Sequence, residues 1–169
     1  MNFTLVEIEE LTGKKLKVYS ILTEENAENC YTLYDEFIDA NRDQFKSEIV
    51  YINDRIEVMA KYTGLRDDFL KKDEGSLGDG ICALYDKPDS NLRLYFIRYG
   101  NVAIVLGGGG HKPKLIRRLQ EDPVLKDANY FLRQISAVLA DAVREGSLTI
   151  TNEGLESNTE FNYTIDNDE

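Results

Sequence analysis

The residues best able to do chemistry in this chain are gathered between Leu92 and Lys114, in the stretch LRLYFIRYGNVAIVLGGGGHKPK. It holds the only histidine, His111, with Arg93, Arg98, Lys112 and Lys114 and four consecutive glycines at 107–110. Residues 87–118 carry seven basic side chains and one acidic one, whereas the rest of the chain carries 13 basic and 30 acidic. Arg93, Tyr95, His111 and Lys112 would together make a cationic patch with an aromatic platform. That combination suits a phosphodiester backbone and a stacked base. Lys114, Arg117 and Arg118 continue the basic run toward a helix and would extend such a surface. Each group also has a plainer reading: an exposed strand arginine, a solvated loop histidine, a solvated helix face balanced by acidic neighbours.

Several other chemistries are excluded by spacing. A phosphate-binding loop needs G-x-x-x-x-G-K-[ST], so that the lysine and hydroxyl reach the phosphates and magnesium. Here Gly110 is followed by His111-Lys112-Pro113, with no hydroxyl. The dinucleotide pattern fails too, because Pro113 interrupts and the flanking strands read as antiparallel. The glycines are therefore expected to allow positive φ or a close backbone approach. No H-x-x-x-H or C-x-x-C exists, so no metal or other cofactor is expected. No G-x-S-x-G occurs, and Cys30 and Cys82 lack motif spacing and read as buried reduced thiols. Paired carboxylates such as Asp67-Asp68 read as solvated surface.

The elements that must position these residues follow from periodicity and punctuation. Phe3–Ile8 and Leu16–Leu22 read as strands of an N-terminal hairpin turning at Thr12-Gly13. Thr23 reads as a helix cap, with Ala27, Cys30, Tyr34, Phe37 and Ile38 at helical spacing behind it. A second helix runs from Ser47 to about Gly64 on Ile49, Ile52, Ile56, Met59 and Ala60. Residues 73–80 read as a loop, and Ile81–Tyr85, 92–98 and 102–106 as three antiparallel strands. Within the second of these, Leu94 and Phe96 read as core-facing, which leaves Arg93 and Tyr95 on the more exposed face. A short helix is expected after Pro113. Asp122-Pro123 starts a long helix that Gly146 ends. Ser147–Thr151 reads as a last short strand. The class is α+β, with helices on one face of an antiparallel sheet. Residues 1–151 form one domain, followed by an acidic, flexible tail at 152–169, in which Phe161, Tyr163 and Ile165 alternate as an edge strand would.

The net charge of −11 would repel polyanions in general, so any nucleic-acid role must be local to the basic segment. No run of eighteen apolar residues exists and the first residues lack signal-peptide character, which points to the cytoplasm and away from a membrane.

The order of elements and the stretch at 92–114 resemble the RelE/HigB group of bacterial toxins, over about residues 24–120. The match is two helices, then three strands, with an arginine early in the middle strand, and a glycine-containing loop with two lysines after the last. The resemblance implies a RelE-like sheet with a helical hairpin and C-terminal helices packed on it, with the N-terminal hairpin as an addition. It also implies a metal-independent endoribonuclease acting on messenger RNA, commonly at the ribosome, and neutralised by a protein antitoxin. By position Arg93 would clamp the phosphate, Lys112 and Lys114 would be the paired lysines, and His111 or Tyr95 would assist proton transfer. The chain departs from the family in its length, its acidity and the Pro113 that splits the lysines. A non-catalytic protein-interaction module on the same scaffold is the alternative, and a homo-oligomer is left open in either case. A self-masked form, with the tail over the basic segment, is a third.

Overall fold

Ile81–Leu84 and Ala103–Leu106 are apolar and buried at every position, so the sheet they belong to is covered on both faces. In the computed structural model, which describes residues 1–71, 80–84, 90–112 and 122–166, nine strands and three helices follow one another. They are β1 (Asn2–Glu7), β2 (Lys17–Thr23), α1 (Leu33–Asn41), α2 (Lys46–Val58), β3 (Leu70–Lys71), β4 (Ile81–Leu84), β5 (Leu92–Tyr99), β6 (Ala103–His111), α3 (Pro123–Glu145), β7 (Leu148–Thr151), β8 (Gly154–Ser157) and β9 (Asn162–Thr164). Seven strands form one sheet in the order β3-β4-β5-β6-β2-β1-β9, and β7 and β8 pair separately. Every pairing in the large sheet is antiparallel except β2 with β6. The fold is α+β.

Alternate residues feed two separate cores. Leu94 and Phe96 of β5 and Ile104 and Leu106 of β6 join Phe37, Ile49, Ile52, Ile56 and Met59 of the first two helices. Tyr95 and Ile97 of β5 and Ala103 and Val105 of β6 join Leu125, Leu132, Ile135 and Leu139 of α3. The expectation of helices on one face is thus corrected. A strand such as Ala103-Ile-Val-Leu106 has no polar side, so it must be roofed twice. Each fully buried aliphatic side chain contributes about 1.5–3 kcal/mol.

The first helix starts later than its spacing predicts. Thr32, not Thr23, is the cap: its hydroxyl accepts from the Asp35 N–H at 3.2 Å while the Asp35 carboxylate accepts from the Thr32 N–H at 3.0 Å. This reciprocal pair outcompetes a start at Thr23, where only a short 3-10 turn forms over Glu24–Asn26. Cys30, at φ +53, lies in the break and is exposed, which corrects its reading as a buried thiol; Cys82 is buried. Beyond Val58 the second helix loosens into a π-helical turn, Met59–Thr63, where the Ala60 carbonyl accepts from the Lys15 N–H at 2.9 Å. Both ends of α3 follow the sequence signals, with Asp122 accepting from Leu125 N–H and Gly146 left-handed at φ 82.

Residues 152–166 are not a flexible tail. The β9 strand pairs with β1, Leu155 and Ile165 are buried, and Phe161 and Tyr163 pack on Tyr19 and Phe3. The N-terminal ammonium donates to the Ile165 carbonyl at 2.9 Å.

Candidate functional site

The site that the sequence points to is the open end of the β5–β6 pair, away from its turn. Leu92 stands opposite His111 and Arg93 opposite Gly110. Arg93 shares its side with Tyr95, which lies in the α3 core, so its side chain faces α3. His111 shares a side with Leu92, which lies in the core of the first two helices. Its ring sits against Phe45, centroid to centroid 5.2 Å, on that same side. Arg93 and His111 are neighbours through the backbone and lie on opposite faces of the sheet.

Tyr95 is 0 % exposed, contrary to its placement on an open face. The reason is α3, which roofs that face and leaves no room for substrate at the ring. Arg93 is half-buried, His111 is exposed and Lys112 is half-buried. The Lys112 N–H donates to the Asn91 carbonyl at 2.6 Å, which extends the ladder one residue beyond the strand. Lys114, Arg117 and Arg118 lie outside the described residues, as do the helix expected after Pro113 and the loop at 73–79. Arg98 is committed elsewhere: its guanidinium donates to Gly100 O, Asn101 Oδ1 and Asp67 Oδ1, clamping the turn.

The four glycines act through close approach, and none of them has positive φ. Register slips between Leu94–Gly109 and Phe96–Leu106, so Gly107 and Gly108 together oppose Tyr95 in a bulge. A Cβ on Gly107 would stand 2.9 Å from Leu132 Cδ2, one on Gly110 3.0 Å from Val124 Cγ1, and one on Gly108 3.7 Å from the Ala128 Cβ. The bulge thus turns consecutive residues toward α3, and the helix rests on bare backbone. Beside this floor a cleft of about 470 Å³ opens between α1 and α3, walled by Leu33, Phe37, Val124 and Phe131. Its acidic members, Glu36 and Asp127, would repel a phosphate, so a polyanion has no favourable path into it.

Two residues that the sequence did not single out shape the open end. Glu48, in the first turn of α2, accepts from the Asn91 N–H at 2.6 Å and from Asn91 Nδ2 at 2.9 Å. Phe45, just before α2, supplies the ring against His111. Phe45 does continue the Ile49, Ile52, Ile56 spacing, which marks it as inward, but nothing in sequence ties it to a residue sixty-six positions on. Among the described residues no cluster of three or more His, Cys, Asp or Glu could hold a metal ion. No helix in the described residues is long and apolar enough to cross a membrane.

No family model, no curated protein and no solved structure matches this chain.

Proposed function

We propose that this chain is a RelE/HigB-like toxin component, a metal-independent endoribonuclease that acts on messenger RNA and is held inactive by a protein antitoxin. The observation that carries the reading is the open end of β5–β6. There exposed His111 and half-buried Lys112 lead into the basic run of 112–118, with Arg93 one ladder step away. The element order supports it, since two helices precede three antiparallel strands and pack on one face of them.

RNA cleavage without metal needs a group to take the ribose 2′-hydroxyl proton, a cation at the phosphorane and a proton for the leaving 5′-oxygen. His111 is the exposed proton-transfer group, and Lys112 is the adjacent cation. Arg93 reaches the same phosphate only around the strand end, because its face is roofed by α3. Tyr95 has no part in this set.

A second reading, a non-catalytic protein-interaction module, is favoured by one specific observation: Arg93 and His111 sit on opposite faces, and the four candidate catalytic groups do not converge. Induced expression in a bacterium separates the two. The toxin reading expects growth arrest from the wild type, abolished by Arg93→Ala/Lys112→Ala. Soluble, folded protein with no arrest would favour the interaction module.

A further inference from the structure

The parallel neighbours β2 and β6 separate before either strand ends. Their pairing stops at Ser20 opposite Leu106, although β2 continues to Thr23 and β6 to His111. The Ser20 hydroxyl closes the ladder by donating to the Leu106 carbonyl at 2.8 Å. Beyond that point no described strand pairs with β6 on its β2 side. The edge left open is the glycine run. Gly108 and Gly109 are half-buried, and the surface that a glycine exposes is backbone.

The helices that follow the two strands lie on opposite faces. After β2, α1 packs Tyr34 and Phe37 with Leu94 and Leu106. After β6, α3 packs Leu125 and Leu132 with Tyr95 and Val105. In doubly wound sheets, adjacent parallel strands that send their helices to opposite faces leave a crevice at their carboxyl ends, and ligands bind there. The cleft of about 470 Å³ has this placement: its walls come from both helices and its floor from Gly108 and Gly109. One cavity touches helices on both faces of a sheet only by passing around an open edge. Through the same opening Leu33 of α1 reaches the core beneath α3. The volume falls within the range of small-molecule sites, about 300–1,000 Å³.

The lining sets the chemistry of an occupant. Val124 is 61 % exposed, so the apolar wall it forms with Phe37 and Phe131 is uncovered. The charged members of the lining among the described residues are Glu36 and Asp127, both acidic and one from each helix. Glu36 is steadied by Asn26 Nδ2, which donates to its Oε1 at 2.7 Å.

We propose that this cleft is a binding site for a small organic cation, an amine or guanidine carried on an aromatic or branched aliphatic body. The body lies against Phe37, Val124 and Phe131, and the cation sits between Glu36 and Asp127, which complement its charge. Neither Arg93, His111 nor Lys112 lines the cleft, so the proposal stands or falls apart from the toxin reading.

Titration of the ¹⁵N-labelled full chain with phenethylammonium, followed by amide chemical shifts, tests it. Saturable shifts are expected at Gly108 and Gly109. Phenylacetate, with the same ring and the opposite charge, should leave both amides in place. Glu36→Gln/Asp127→Asn, at two exposed positions, should weaken the cation by about fivefold or more. Ala40→Trp, on the exposed rim, should block it, and the amide spectrum itself reports that each variant is folded. No saturable shift, equal binding of phenylacetate, or an affinity unchanged by the double substitution would each overturn the proposal. Movement of these amides by an arginine-rich peptide but by no free amine would assign the cleft to a protein partner and overturn it too.

Discussion

Arg93 and His111 stand one step apart across the β5–β6 ladder yet project to opposite faces of the sheet, one beneath α3 and the other onto Phe45. Their substitutions should therefore separate stability from activity. Arg93→Ala removes a half-buried stem and is expected to cost about 1–2 kcal/mol. His111→Ala removes an exposed ring and should stay within about 0.5 kcal/mol. Chemical denaturation of the two variants checks this. If growth arrest is lost in His111→Ala at unchanged stability, the loss is chemical in origin.

The glycine run offers a sharper contrast, because four identical residues have four different surroundings. A Cβ on Gly109 would lie 1.9 Å from the Arg93 carbonyl oxygen, a backbone atom that cannot swing aside. Gly109→Ala is expected to cost about 3 kcal/mol or to prevent folding. Gly108→Ala meets only the Ala128 Cβ at 3.7 Å and should be nearly neutral. Gly110→Ala, 3.0 Å from the movable Val124 Cγ1, should fall between them. Thermal melts of the three variants rank them, and equal melting temperatures would refute the packing account of the run.

Part of this was legible in the sequence and part was not, for physical reasons that particular residues display. Asp122-Pro123 and Gly146 bound α3 correctly because caps are local chemistry. Thr23 misled because its hydroxyl looks like a cap, whereas the reciprocal bonds of Thr32 and Asp35 decide the start. The two-sided roof was hidden in Tyr95. Alternation separates it from Leu94 and Phe96, but alternation cannot say that a helix thirty residues later covers the other side. The parallel β2–β6 pairing has no local signature at all, since it joins Lys17 to Ala103 across most of the chain.

One hydroxyl ties that parallel seam to α1. Ser20, 0 % exposed, donates to the Leu106 carbonyl at 2.8 Å and accepts from the Tyr34 N–H at 3.2 Å, tying β2, β6 and α1 together. Ser20→Ala leaves both partners buried and unsatisfied, so a loss of about 1–3 kcal/mol is expected. Hydrogen exchange should quicken first at the Tyr34 amide. Undiminished protection there would mean that the hydroxyl is not the tie.

Removing residues 152–169 should destabilise the chain rather than unmask a basic surface. Leu155 and Ile165 are buried, and β9 sits against β1, three strands away from β6. Loss of those two side chains alone is worth about 3–6 kcal/mol at about 1.5–3 each. The truncated chain is expected to melt far lower or to aggregate. If it stays folded at the same melting temperature, the docking of this segment contributes nothing.

Burial also sets an alkaline limit. It lifts the Tyr34 and Tyr99 phenols above their ordinary value of 10.0, with the Asp35 carboxylate adding at Tyr34 and the Tyr163 phenol at Tyr99. Folding thus favours the protonated phenol. Its stabilising contribution is whole below pH 10 and is lost as pH rises through the higher folded values. The Tyr99 hydroxyl has no hydrogen-bond partner among the described residues. Tyr99→Phe should therefore stabilise the protein slightly, by about 1 kcal/mol, and flatten the alkaline fall. Tyr34 differs, since its hydroxyl donates to Asn53 Oδ1 at 2.9 Å, so Tyr34→Phe should cost stability at neutral pH. Melting temperatures of both variants from neutral to strongly alkaline pH test the pair. Opposite signs at neutral pH are expected, and a shared sign would show that burial, not the hydroxyl's partner, governs both.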